Sequence, residues 1–440
     1  GVAERSWLRD NEIVKVLRPI ASGGFGRVDA VLLGDGEEAA RKTFEPSGRI
    51  SDTEREKAMG RFRREVRVQR MLPNHVTLEV IAESLDENPP WFVMPLAAEN
   101  FEMQIKRDRS AGKVSVQPLA DVLEALEVIH GLGLVHRDLK PPNVLLHGKR
   151  WKISDFGFVL QGSATTRLTS TSSAWGTHEY AAPEQATEFR EATAAVDIFA
   201  FGCILHDIVD GGSRVPFSQV TVDGPLAVIV EKCTEVDPAR RFRDVVALRS
   251  ALLTVLASPA KTVSDRESSE LAAKLESDED WSVGEFEGLL RFVRRKGLGS
   301  DEVEAVFSSL TVGAIEGLHL VDVALWESLV RQFCDWTQRA FEFGFCDVLV
   351  NRLERIVALG SLGSQSRAVL AAARLGSTHN RFYVMRRVRE MCDTSMDRAL
   401  AERVALEIQI EKEEEHFNVC SRKRGPGEEP YHSALQGVVS

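Results

Sequence analysis

"HRDLKPPNVLL", His136 to Leu146, is the stretch on which the reading of this chain turns. It brings His136, Arg137, Asp138, Lys140 and Asn143 close together. Two short stretches follow it in order: "ISDFG", which holds Asp155, and "GTHEYAAPEQ", which holds Ala182, Pro183 and Glu184. Upstream, "SGGFGRV" at Ser22 to Val28 places Gly23, Gly24 and Gly26 just ahead of a valine. Taken alone that turn is weak evidence, since most Gly-rich turns bind nothing. Its glycines do let backbone N–H groups approach a phosphate with no Cβ in the way. What decides the matter is the company it keeps.

The whole chain sets the bounds. At 440 residues it is too long for one ordinary core, and two domains are expected. A hydrophobic content of 43% and a charged content of 28% fit a soluble globular protein, and a net charge of -11 argues against nucleic acid as a partner. The six cysteines are scattered with no C-x-x-C pair, which argues against a zinc site or a disulfide framework and suits a reducing compartment. No signal-like N-terminal segment and no run of about 18 apolar residues is present, so the expectation is a cytoplasmic protein without a membrane span.

Local texture divides the chain. "EIVKVLRPIA" and "GRVDAVLL" read as strands joined by the Gly-rich turn. "EREKAMGRFRREVRVQRML" has helical spacing, with Met59, Phe62, Val66 and Met71 recurring on one face. Residues 1–258 form the first expected domain, 259–281 a polar stretch that reads as a linker or exposed helix, 282–416 an all-helical domain, and 417–440 a flexible tail rich in charge, Gly and Pro. The helical domain reads either as a HEAT-like array or as an irregular bundle, with no strict repeat period to separate them.

From Asn11 to Leu256 the motifs resemble, in order and spacing, those of the eukaryotic-like (Hanks-type) protein kinases, including "DPARRF" at Asp237 to Phe242. The resemblance implies an α+β, bilobal kinase fold: an N-lobe of antiparallel sheet plus one helix, a helical C-lobe, and here an added all-α domain. It implies ATP and Mg²⁺ (or Mn²⁺) as cofactors and protein substrates as partners. Phosphoryl transfer asks the protein mainly for positioning and charge neutralisation.

Site residues follow from the resemblance. Asp138 orients the substrate hydroxyl, Lys140 stabilises the transferring phosphate, and Asn143 and Asp155 hold metal, as hard oxygen donors suit Mg²⁺. Lys42 in "EEAARKTF" contacts the nucleotide phosphates and pairs with Glu65 in "FRREVRV". Gly23 and Gly26 are loop glycines with Phe25 at the tip, and Ala21 stands where a first glycine is expected. In "WFVMPLA", Met94 is the gatekeeper and Pro95 and Ala97 belong to the hinge; Val28, Ala40 and Leu145 sandwich the base. His136 and Phe156 belong to an apolar spine, in which Gln69 puts a polar residue where an apolar one is called for. Lys140 and Thr177 resemble the serine/threonine class. Glu184 is expected to pair with Arg241, and Asp197 to anchor the catalytic-loop backbone.

The stretch "QGSATTRLTSTSSAWGT" is crowded with hydroxyls. With Arg137 beside Asp138 in want of an anion, autophosphorylation is expected there, on Thr169, Thr171, Ser172 or Ser173. Two readings follow. One is an active serine/threonine kinase whose helical domain regulates it, or recruits substrate or a partner protein. The other is a pseudokinase-like scaffold, for which Ala21 and Gln69 speak. An Arg-, Ala- and Val-rich composition leans towards a bacterial origin.

Overall fold

Alternation of side chains along the N-terminal strands decides which groups face the site. The computed structural model describes residues 12–23, 26–46, 48, 50–161, 178–187, 193–259, 265–277, 279–422 and 428–439. Strands β1 (Ile13–Ser22), β2 (Gly26–Leu33), β3 (Glu38–Phe44), β4 (Ala82–Ser84) and β5 (Trp91–Pro95) form one antiparallel sheet in the order β1-β2-β3-β5-β4. In β3 the period of two sends Ala40, Lys42 and Phe44 to one face. Ala40 and Phe44 join Phe62, Val66, Phe92 and Met94 in a buried cluster on that side. Ala39 packs with Val31, Leu33 and Val93 on the other.

Helix α1 (Asp52–Met71) covers the first face. A capping box starts it: the Ser51 hydroxyl accepts from the Glu54 N–H, and the Glu54 carboxylate accepts from the Ser51 N–H. Its inward face carries Ala58, Phe62, Glu65, Val66 and Gln69. Met71, expected on that face, is exposed at the helix end.

Below the sheet come β6 (Glu99–Asn100), α2 (Phe101–Ser110), α3 (Val116–Gly131), β7 (Leu134–Val135), β8 (Val144–His147), β9 (Arg150–Ile153) and β10 (Leu160–Gln161). Then follow α4 (Pro183–Thr187), α5 (Ala195–Val209), α6 (Ala227–Cys233) and α7 (Val245–Ala257). Helix α5 is apolar nearly all round and buried, as such a helix must be in water. The N-lobe sheet with its helix and the helical C-lobe are thus both present.

The chain divides into two compact units, Gly1–Leu252 and Leu253–Ser440. The second is helical: α8 (Arg266–Glu276), α9 (Val283–Lys296), α10 (Asp301–Ser308), α11 (Val312–Val321), α12 (Val323–Trp336), α13 (Phe343–Leu359), α14 (Leu362–Thr378), α15 (Phe382–Met391), α16 (Arg398–Glu411), α17 (Glu414–Ser421) and α18 (Ser433–Gln436). Helix α14 packs against α12, α13, α15, α16 and α17. Its buried Ala368, Ala371, Ala372, Ala373 and Gly376 let these neighbours come close. One helix surrounded by others is a bundle about a centre, whereas solenoid repeats touch only their neighbours.

Two expectations about boundaries need correction. The stretch read as a linker or exposed helix contains α8, which is capped by Asp265 and is not wholly exposed: it packs on α10 with Ala272 and Leu275 buried. The stretch read as a flexible tail is partly packed: Phe417, Cys420, Tyr431 and Leu435 are buried. Tyr431 bridges Asp393, and its hydroxyl donates to the Phe417 oxygen at 2.9 Å. A few apolar anchors among many polar residues suffice to dock a segment that composition alone marks as solvated.

Candidate active site

Lys42 and Glu65 meet as their elements dictate. Lys42 Nζ donates to Glu65 Oε1 at 2.6 Å and Oε2 at 2.8 Å, and lies 3.8 Å from Asp155 Oδ1. Burial pushes the Glu65 carboxyl up, to about 7, against the pull of Lys42. Burial also works against the Lys42 ammonium, yet Asp155, Glu65 and Asp138 together hold it above its ordinary value. A buried pair of this kind is costly to break, because removing one member strands the other charge.

The catalytic loop is held from both sides. Lys140 Nζ donates to Asp138 at 2.9 and 3.2 Å. Asn143 Nδ2 donates to the Asp138 main-chain oxygen at 2.9 Å and to its Oδ2 at 3.2 Å. The Asp138 N–H donates to His136 Nδ1 at 3.3 Å, so His136 Nε2 carries the proton given to the Ser154 oxygen at 3.0 Å. The His136 ring meets the buried Phe156 edge-on at 5.3 Å. Burial, then Asp155, raise the Asp138 carboxyl in spite of Lys140. For Asp155 burial pushes up too, but Lys42, His136, Lys140 and the Gly157 N–H hold it below the usual range. One carboxyl is thereby disposed towards a proton and its neighbour towards a cation.

Arg137 and Asp155 both hold positive φ, 71° and 63°, a conformation that needs support from outside the loop. For Arg137, Asp197 supplies it from α5. Its Oδ2 accepts from the His136 N–H at 2.9 Å, its Oδ1 from the Arg137 N–H at 2.8 Å, and His130 Nε2 lies 2.8 Å away. Glu184 takes a two-pronged grip from Arg241 at 2.7 and 2.8 Å. Burial lowers the Arg137 guanidinium to about 10, with Arg64 and Arg61 adding to the effect.

Most of the residues expected on the nucleotide side lie close together as well. Val28 and Leu145 pack on the cluster that holds Ala40 and Met94, and Met94 pairs with Ala40 across β3 and β5. Pro95 ends β5 and Ala97 follows it, both half-buried. Ala21 sits opposite Val28 in the β1–β2 register, and the Gly23 N–H donates to the Gly26 oxygen at 2.9 Å. A Cβ on Gly26 would lie 3.1 Å from the Thr43 oxygen and 3.5 Å from Lys42 Cε, so a side chain there would crowd the space above Lys42. Phe25, Thr177, Thr169, Thr171, Ser172 and Ser173 lie outside the described residues.

One residue escaped the sequence reading. Gln185, directly after Glu184, is 3% exposed. It accepts from the Ala182 N–H at 2.8 Å and donates to the Arg137 oxygen at 3.0 Å, tying the catalytic loop to the start of α4. Its only signal in the sequence was an amide at the edge of a recognised motif.

Residues 14–261 match the protein kinase domain, and the chain belongs to that family. It is 33% identical over 253 residues to the serine/threonine-protein kinase AfsK of Streptomyces griseus, covering 53% of this chain and 31% of that protein. AfsK of Streptomyces coelicolor is 36% identical over 193 residues, 43% of this chain and 24% of its own length. PknA of Mycobacterium tuberculosis is 34% identical over 236 residues, 51% of this chain and 52% of its own. The chain thus spans between a quarter and a half of the length of these curated relatives. Among the described residues no single helix is long and apolar enough to cross a membrane.

Proposed function

We propose that the chain is an ATP-dependent serine/threonine protein kinase. The observation that carries this reading is the joint assembly of two groups: Lys42 on Glu65 and near Asp155, and Asp138 on Lys140 and Asn143.

The family uses ATP with a divalent metal, and the residues here fit both. Asp155 and Asn143 offer the hard oxygens that Mg²⁺ takes, and Gly26 leaves open the space above Lys42 that a Cβ would crowd. ATP supplies the phosphoryl group, and the metal supplies charge neutralisation. The chain's own residues do the rest. Glu65 holds Lys42 extended to meet phosphate oxygens, and Val28, Ala40, Met94 and Leu145 give the base an apolar slot. Asp138, its carboxyl raised, accepts a hydrogen bond from the acceptor hydroxyl and aims it, and Lys140 meets the charge on the moving phosphoryl group.

The site also supports activation by phosphorylation at Thr169, Thr171, Ser172 or Ser173. Arg137, Arg61 and Arg64 gather positive charge, and Phe158, just before that stretch, lies under Arg61 Cζ at 5.0 Å. The helical unit is read as regulatory or as a dock for substrate or a partner protein. The test is Mg²⁺-dependent transfer from labelled ATP to the chain and to a generic basic protein. Label on serine or threonine, lost in Asp138→Asn and Lys42→Met, supports the reading. ATP-dependent stabilisation without transfer supports a scaffold instead.

A further inference from the structure

Arg137 holds a φ of 71° directly before Asp138, so the direction in which the chain enters Asp138 depends on how Arg137 is held. The angles φ and ψ of a residue relate the flat peptide unit before it to the flat unit after it. Fixing both units therefore fixes both angles. The unit before Arg137 is held from α5, where Asp197 Oδ1 accepts from the Arg137 N–H at 2.8 Å. The unit after it carries the Arg137 oxygen and the Asp138 N–H. Gln185 Nε2 donates to that oxygen at 3.0 Å, while the N–H reaches His136 Nδ1 at the longer distance of 3.3 Å.

Gln185 is itself firmly placed. Its other amide atom, Oε1, accepts from the Ala182 N–H at 2.8 Å, so the amide has one orientation and cannot turn end for end. Its neighbour Glu184 is gripped by Arg241 at 2.7 and 2.8 Å, which anchors α4. Gln185 and Ala182 are both buried, so water does not compete for these bonds. An apolar residue of the same size would fill the place but give the Arg137 oxygen no donor. A carboxylate would set a second acceptor against it.

On the kinase reading above, we propose that Gln185 is a positioning residue for Asp138. It touches the Arg137 oxygen and the Ala182 N–H, and acts on Asp138 through the main chain. Asp138 aims the acceptor hydroxyl, and Lys140 and Asn143 meet its carboxylate where it stands. With its oxygen released, Arg137 relaxes towards ordinary negative φ and carries Asp138 off those partners. A displacement of about 1 Å is enough to cost about 10²-fold in rate. The Lys42–Glu65 pair belongs to β3 and α1 and is left as it was. Loss of Gln185 therefore slows turnover and spares ATP binding.

The experiment compares the full chain with Gln185→Met, which keeps the length of the side chain and removes both bonds. Transfer from labelled ATP and amide hydrogen exchange are followed on the same samples. Gln185→Met should lower kcat by about 10–100-fold and leave the KM for ATP within about twofold of the parent. Exchange of the His136, Arg137 and Asp138 amides should quicken by about tenfold or more, while α3 and α5 keep the parental rate. A folded Gln185→Met protein with parental kcat, or with parental exchange at these amides, overturns the proposal. So does a KM for ATP that rises as far as kcat falls, with exchange quickened throughout the C-lobe, since a purely structural residue would do that. If Gln185→Met fails to fold, Gln185→Asn, one methylene too short to span both groups, is read by the same criteria. Local quickening in a chain that transfers no phosphate in any form sinks the kinase reading but supports the brace on Arg137.

Discussion

Gln69 donates its side-chain amide to the main-chain oxygen of Leu78 at 2.8 Å, from a position only 2% exposed. It also lies 3.7 Å from the sulfur of Met94. The polar residue that stands where the family resemblance calls for an apolar one is therefore satisfied, and it fastens α1 to the chain leading into β4. An apolar residue there would fill the space but leave a buried carbonyl without its donor. Gln69→Leu should accordingly lower stability by about 1–3 kcal/mol instead of raising it. Urea unfolding of the two proteins decides this; a more stable Gln69→Leu protein would show that the amide bond contributes nothing.

The same residue shows where sequence reading stops. Asp138, Lys140, Asn143 and Asp155 stood out because the motifs that hold them resemble, in order and spacing, those of the protein kinases, and the structure brings them together. Glu65 was legible from its place one residue before Val66 on an amphipathic helix. The partner of Gln69 was not, because a main-chain carbonyl has no signature in the sequence. The docking of Tyr431 and of α8 was hidden for a related reason. Each rests on two or three apolar contacts within segments whose composition is that of solvated chain.

Glu65 extends this logic to activity. Since Glu65 fixes both hydrogen bonds of Lys42 that are not shared with Asp155, Glu65→Gln keeps the shape but removes the charge that holds the ammonium. Transfer from labelled ATP should fall about 10²–10³-fold, in the range for losing one preorganised electrostatic contact. A Glu65→Gln protein of near-parental rate would mean that Asp155 alone positions Lys42.

Asp197 gives a prediction with a sign in pH. Burial pushes its carboxyl up, but His130, His136 and the Arg137 N–H hold it below the ordinary value of 3.8 overall. A depressed folded value means that ionised Asp197 stabilises the fold. The contribution is complete above about pH 4 and is lost as pH falls through the depressed value. Asp197→Asn cannot accept both N–H groups as a carboxylate does, and should lose about 2–4 kcal/mol at pH 7. The deficit should shrink as pH is lowered below about 4. Urea unfolding of parent and variant at pH 7, 5 and 3 measures it; a constant deficit would show that the loss is steric and not ionic.

In the second unit, two glycines of one helix should respond to alanine in opposite directions. Gly376 is buried in α14, and a Cβ there would meet Val384 Cγ1 at 3.2 Å and the Met385 nitrogen at 3.3 Å, on the facing helix α15. The main-chain atom cannot swing aside as a side-chain end can, so the two helices must separate. Gly376→Ala should lower stability by about 1–3 kcal/mol. Gly363, in the first turn of the same helix, has nothing within 4 Å of the place a Cβ would take. Alanine there only restricts the unfolded chain and favours the helix, so Gly363→Ala should raise stability by about 0.5–1 kcal/mol. Thermal and urea unfolding of the full chain, following the transition that belongs to the helical unit, compares the pair. Equal effects of the two substitutions would mean that α14 and α15 do not approach as closely as Gly376 implies, and that α14 is not the packed centre of the bundle.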